Sequence, residues 1–194
     1  MDKIAVNVKN ENDICTITLS DITGNANNLS KCIEITKHFA CGNELFFGHY
    51  RTDGISLTQN EWIKYGKEIP EYFRKNGRYE PLTGMVQEKR RVKQLQGYLT
   101  IGSLPMADKT FEILPWIFHY YLETICFCPE IDWKTYSKSF QAFIKHGARE
   151  YVSNGFAEFL FSYCDSGEFS ISFNRTQHDQ DAVLQSIQKI LFIP

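Results

Sequence analysis

The sequence predicts an α+β fold in a single domain spanning residues 1–194. Short stretches alternate between apolar and polar residues, as a strand with one buried face requires. Other stretches repeat their apolar residues at helical spacing. The two kinds mix without a regular strand–helix–strand rhythm. That favours antiparallel sheet, built from hairpins and packed against several helices, over a doubly wound parallel sheet.

The elements follow in order. "KIAVNVKN" and "DICTITLS" predict an N-terminal hairpin linked through Asn10 to Asn12. Cys15, Ile17 and Leu19 share one face, so Cys15 reads as a small core residue. "LSKCIEITKHFACGN" predicts a helix with Ser30 at its start and Gly42-Asn43 at its stop. "ELFFGHY" reads as a strand, "RTDG" as a turn with Asp53-Gly54 its turn pair, and "ISL" as a short returning strand. In "TQNEWIKYGKEIPEYFRKNG", Thr58 and Glu61 have capping-box spacing, and Trp62 and Tyr65 lie on one side of a helix. Pro70 should interrupt it, with a second short helix running to Gly77. Pro81 and Gly84 argue for a loop, a helical turn or two within Met85–Lys93 stays open, and "LQGYLTIG" reads as a strand.

"TFEILPWIFHYYLETICFC" is the most apolar stretch. Pro115 suits the first turn of a buried helix, which gives way to an extended piece at the cysteines. Asp132 then caps a helix whose stripe is Trp133, Tyr136, Phe140, Phe143 and Ile144, closed by Asn154-Gly155. Phe159, Phe161 and Tyr163 alternate before a turn, and Phe169, Ile171 and Phe173 after it, with Gly167 in the left-handed position. A last helix places Val183, Leu184, Ile187 and Ile190 on one face.

The formal net charge of −2 does not suggest a bulk polyanion binder. Charge is uneven: residues 81–110 hold five bases and two acids, residues 150–194 six acids and two bases. The N-terminus lacks the apolar run of a signal peptide, and no stretch reaches ~18 consecutive apolar residues. A cytoplasmic protein with reduced thiols is therefore expected, with no membrane partner.

Chemistry is sparse. Cys126-x-Cys128 is too close for the usual zinc knuckle, and no second pair follows. The five histidines are scattered. There is no nucleophile elbow and no glycine-rich phosphate loop. No catalytic residue, metal or cofactor is expected. Gln87-x-Lys89 downstream of Asp53 faintly resembles the acid-then-acid-x-Lys pattern of restriction-like nucleases. Lys89, Arg90, Arg91 and Lys93 form a candidate basic contact patch, near Tyr79 and Tyr98. Four bases in a chain of net negative charge make a modest footprint for nucleic acid.

Residues 61–80 interleave aromatics with acids. Aromatic anchors with a charged surround suit a protein interface, so Glu68, Glu71, Tyr72, Tyr79 and Glu80 are the candidate partner-binding residues. In size, aromatic richness, mild acidity and lack of a catalytic constellation, the chain resembles the bacterial immunity proteins of polymorphic and contact-dependent inhibition toxin systems. The resemblance is one of type and carries no site residue. It implies a non-catalytic cytoplasmic protein that binds one cognate toxin domain, expected to be a nuclease, one to one, and occludes its active site or substrate surface. The competing reading is a small nucleic-acid-processing enzyme, or a nucleic-acid-binding protein, that uses the basic run at 89–93.

If Cys126 and Cys128 are core residues, the purified protein should contain no zinc. Replacing both by alanine should then lower the unfolding midpoint before any binding is lost; stoichiometric zinc would refute this.

Overall fold

The computed structural model describes residues 4–22, 26–52, 68–81, 97–120, 123–127, 132–136, 152–164 and 167–192. Outside them lie the basic run at 89–93, the Asp53-Gly54 turn, the "ISL" strand, and Thr58, Glu61, Trp62 and Tyr65. So do Cys128 and the middle of the helix expected after Asp132.

The chain forms strands β1 (Ala5–Glu11), β2 (Ile14–Ser20) and β3 (Glu44–Thr52), with helix α1 (Ala26–Phe39) before β3. Helix α2 (Ile69–Asn76) leads into β4 (Arg78–Pro81), and β5 (Gly97–Pro105) into helix α3 (Asp108–Tyr120). Strands β6 (Glu123–Phe127), β7 (Phe159–Cys164) and β8 (Glu168–Asn174) precede helix α4 (Gln180–Phe192). All eight strands join one sheet in the order β1-β2-β8-β7-β6-β3-β5-β4. Every neighbouring pair is antiparallel. The fold is α+β, as the sequence predicts.

Register explains which way the sheet faces. Cys15 pairs with Phe173, Ile17 with Ile171 and Leu19 with Phe169. Those partners continue onto Phe159, Phe161 and Tyr163 of β7, and Phe161 onto Cys126 of β6. Directly opposed residues share a face, so these side chains form one apolar surface. Helices α1 to α4 bury their stripes on it, through Cys32 and Ile35 of α1, Phe73 of α2, Leu114, Ile117 and Phe118 of α3, and Val183, Ile187 and Leu191 of α4. Helix α1 touches both α3 and α4. The Lys37 ammonium pairs with Asp108 at 2.9 Å, and the Lys31 ammonium donates to the Leu191 carbonyl. No helix among the described residues is long and apolar enough to cross a membrane.

The opposite face divides in two. Over β3 it is apolar: Phe46 meets Tyr136 at 4.6 Å and Trp133 at 6.2 Å between ring centroids. The Tyr136 hydroxyl donates to the Phe47 carbonyl at 2.8 Å. Asp132 caps this helical turn as expected, accepting from the Thr135 N–H at 2.8 Å, and that bond holds its carboxyl below the usual range. Over β2 and β8 the same face is hydroxylic, with Thr16 Oγ1 and Ser172 Oγ 2.9 Å apart.

Several boundaries differ from the sequence expectation. The first hairpin turns at Asn12-Asp13, with Asn12 at φ 52°, rather than through Asn10. Helix α1 begins at Ala26, so Ser30 lies inside it and is not its cap. Asn28, already helical, is buried and donates to the Asp21 carbonyl, which ties that first turn to the end of β2. Strand β3 runs on through Arg51-Thr52. Residues 78–81 form an edge strand rather than a loop, with Pro81 at its end, where no ladder donor is needed. Pro115 lies inside α3 and not in its first turn. A proline there forfeits about 3 kcal/mol. Burial of Leu114, Ile117 and Phe118 returns roughly 2 kcal/mol each, so the helix continues.

Two glycines let α2 lie close to the sheet. A Cβ on Gly77 would come within 1.9 Å of the Ser103 carbonyl oxygen, and one on Gly102 within 2.6 Å of the Phe73 ring. Gly77 has φ −163°, ordinary extended backbone, so its constraint is contact and not torsion. Gly77→Ala should therefore destabilise the protein by about 3 kcal/mol, read as a lowered urea midpoint. An unchanged midpoint would mean that β4 and β5 are not held this close.

Candidate functional site

Helix α2 is short, and its place is set by Phe73. That ring sits over Gly102 and meets Phe47 edge-on at 5.3 Å. With Phe73 turned down, Glu68 and Tyr72, one helical turn apart, face α3. On α3, Ile113, Trp116 and Ile117 face back. The space between the helices stays open as a groove of about 220 Å³, lined among the described residues by these five side chains. Ile117 is buried and Tyr72 and Ile113 are half-buried, while Trp116 keeps 51% of its surface exposed.

The groove is apolar in its walls and acidic at one end. Ile113 and Ile117 give aliphatic surface, Tyr72 and Trp116 give π-faces, and Glu68 gives a carboxylate. Glu71, one turn on from Glu68, is exposed at the start of α2. Carboxylates there complement the positive end of the α2 dipole. Trp116 and Ile117 lie towards the C-terminal end of α3.

The sequence-predicted residues separate. Glu68 and Tyr72 line the groove and Glu71 flanks it. Tyr79 lies on β4 beneath α2, with Phe73 at 6.4 Å and the Arg74 guanidinium 4.8 Å from its ring centroid. Burial raises the Tyr79 phenol above its ordinary pKa, and Arg74 offsets part of that rise. Glu80, the next residue along the strand, points to the other face of the sheet. Lys89, Arg90, Arg91 and Lys93 lie outside the described residues. Trp116, Ile113 and Ile117 are additions from the structure. Their signal was present in Lys109, Glu112 and Trp116, which fall on one side of α3 once the helix starts at Asp108.

The buried thiols are poor nucleophiles. Cys15, Cys32 and Cys126 are buried. Burial pushes the Cys32 thiol up to about 12, and it raises Cys15 against a smaller lowering by Arg175. Cys126 sits in register between Phe47 and Phe161, as a core residue should. Among the described residues, no cluster of three or more His, Cys, Asp or Glu could hold a metal ion.

No family model, curated protein or solved structure matches this chain. The groove therefore has to be read from its own chemistry.

If Trp116 is a contact residue and Ile117 a core residue, alanine will separate them. Trp116→Ala should cost about 1 kcal/mol or less of unfolding free energy. Ile117→Ala should cost about 3 kcal/mol. Equal costs would make Trp116 part of the core.

Proposed function

We propose that this chain is a non-catalytic immunity-type inhibitor that binds one cognate toxin domain, one to one, in the cytoplasm. Binding would occlude the active site or substrate surface of that toxin, expected to be a nuclease. The observation that supports this reading is Trp116: a large aromatic, half exposed, on a helix packed into the core, beside Tyr72 and Glu68. Tryptophan and tyrosine are the residues most often found at the energetic centre of protein interfaces. A side chain held on a docked helix loses little freedom when it meets a partner. The neighbouring acids Glu68 and Glu71 would steer a basic, nucleic-acid-binding partner towards it.

The test is expression with the product of the neighbouring gene. A one-to-one complex and rescue of growth from that product's toxicity are expected. Trp116→Ala should weaken the complex about tenfold or more, mainly by faster dissociation. Turnover of a nucleic acid by the isolated protein, or no complex with that product, would refute the proposal.

A further inference from the structure

We propose that the groove between α2 and α3 is the seat of a single arginine side chain presented by the partner. This deepens the protein-binding reading above and rests on it for the source of the arginine.

Size is the first argument. The groove holds about 220 Å³, below the roughly 300 Å³ at which small-molecule pockets begin. A helix, roughly 10 Å across, cannot enter it. One long side chain can. Charge is the second. The charged side chain lining the groove among the described residues is the Glu68 carboxylate. Of the bases on α2, Arg74 lies over the Tyr79 ring at 4.8 Å. The groove thus complements a cation. Shape is the third. Ile113 and Ile117 match an aliphatic stem, and Trp116 and Tyr72 match a flat cationic head. A guanidinium can stack on the indole face while its edge donates to a carboxylate. An ammonium, compact and strongly hydrated, does this less well. Glu68 can accept from an incoming guanidinium alongside any bond it already makes, since a carboxylate has several acceptor sites.

The test needs no partner. Nα-acetyl-arginine methylamide is titrated into the full-length ¹⁵N-labelled protein, and the indole N–H of Trp116 is followed. That resonance is assigned by its loss in Trp116→Phe. The citrulline analogue, neutral and nearly isosteric, and the lysine analogue are run beside it. The expected result is a saturable shift with arginine, at least about threefold weaker binding of lysine, and no shift with citrulline. Glu68→Gln should abolish the arginine shift while leaving the rest of the amide spectrum in place. Equal response to arginine and citrulline, lysine binding as tightly as arginine, or an undiminished response in Glu68→Gln would overturn the proposal. The two readings fail separately. A toxin complex unaffected by Glu68→Gln and Trp116→Ala would overturn the arginine seat and leave the inhibitor role. An arginine-specific shift without a toxin complex would do the reverse.

Discussion

Helices α1 to α4 pack on one face of the sheet, whose centre is made by strands β7 and β8. Phe159, Phe161 and Tyr163 stand opposite Phe173, Ile171 and Phe169, and all are buried. Phe118 of α3 stacks on Tyr163 at 5.2 Å, and Phe39 of α1 meets Phe159 at 5.2 Å. The reverse face of these strands carries Ser162, Ser170 and Ser172, with Leu160 buried beside Ser172. A slip of one residue in the pairing would turn the aromatics outward and the hydroxyls inward, which fixes register strongly. Everything else is placed relative to this choice. Among the described residues α1 to α4 lie on one side, and on the other Trp133 and Tyr136 pack on Phe46 of β3.

The groove is a by-product of that crowding. Helix α3 is committed to the aromatic surface through Leu114, Ile117 and Phe118. Helix α2 is committed elsewhere, by Phe73 over Gly102 at the β4–β5 end of the sheet. The two helices are anchored by different contacts, and nothing requires them to close on one another. A gap held open by independent anchors does not collapse when empty, and a ligand entering it would not have to supply energy to form it. Its walls come from segments with little to link them in sequence, which is why its composition mixes a core isoleucine with a half-exposed tryptophan.

The strands were legible in the sequence because one-sided burial writes a period of two. The β7–β8 hairpin, its left-handed Gly167 at φ 84°, and the Cys15, Ile17 and Leu19 face of β2 could be read directly. Helix starts were less legible, because caps are local preferences that a tertiary contact can override. Ser30 looked like a cap, yet buried Asn28 extends the helix ahead of it. Pro115 looked like a first turn, yet the apolar rows on either side of it outweigh its lost bond. That second misplacement concealed Trp116. A helix begun at Pro115 gives no reason to set Trp116 apart from its apolar neighbours, whereas one begun at Asp108 places it beyond Lys109 and Glu112 on the solvent side. Half of the groove, Glu68 and Tyr72, could be foreseen from the mix of acids and aromatics. The other half depended on where a helix began.

The sheet order has a consequence for how the protein is made. Strand β2 lies between β1 and β8, and the hydroxyls of Thr16 and Ser172 that meet across this junction are 156 residues apart. A ribosome adds about 5–20 residues per second, so roughly 8–30 seconds separate the synthesis of the two strands. Through that interval the first hairpin lacks its β8 neighbour, and Cys15, Ile17 and Leu19 lack their register partners Phe173, Ile171 and Phe169. A lone two-stranded hairpin is marginal in water. The sheet therefore cannot be completed in chain order. Its earliest strands wait for nearly its latest ones, and a nascent chain stalled before Phe173 carries an unmatched sheet edge.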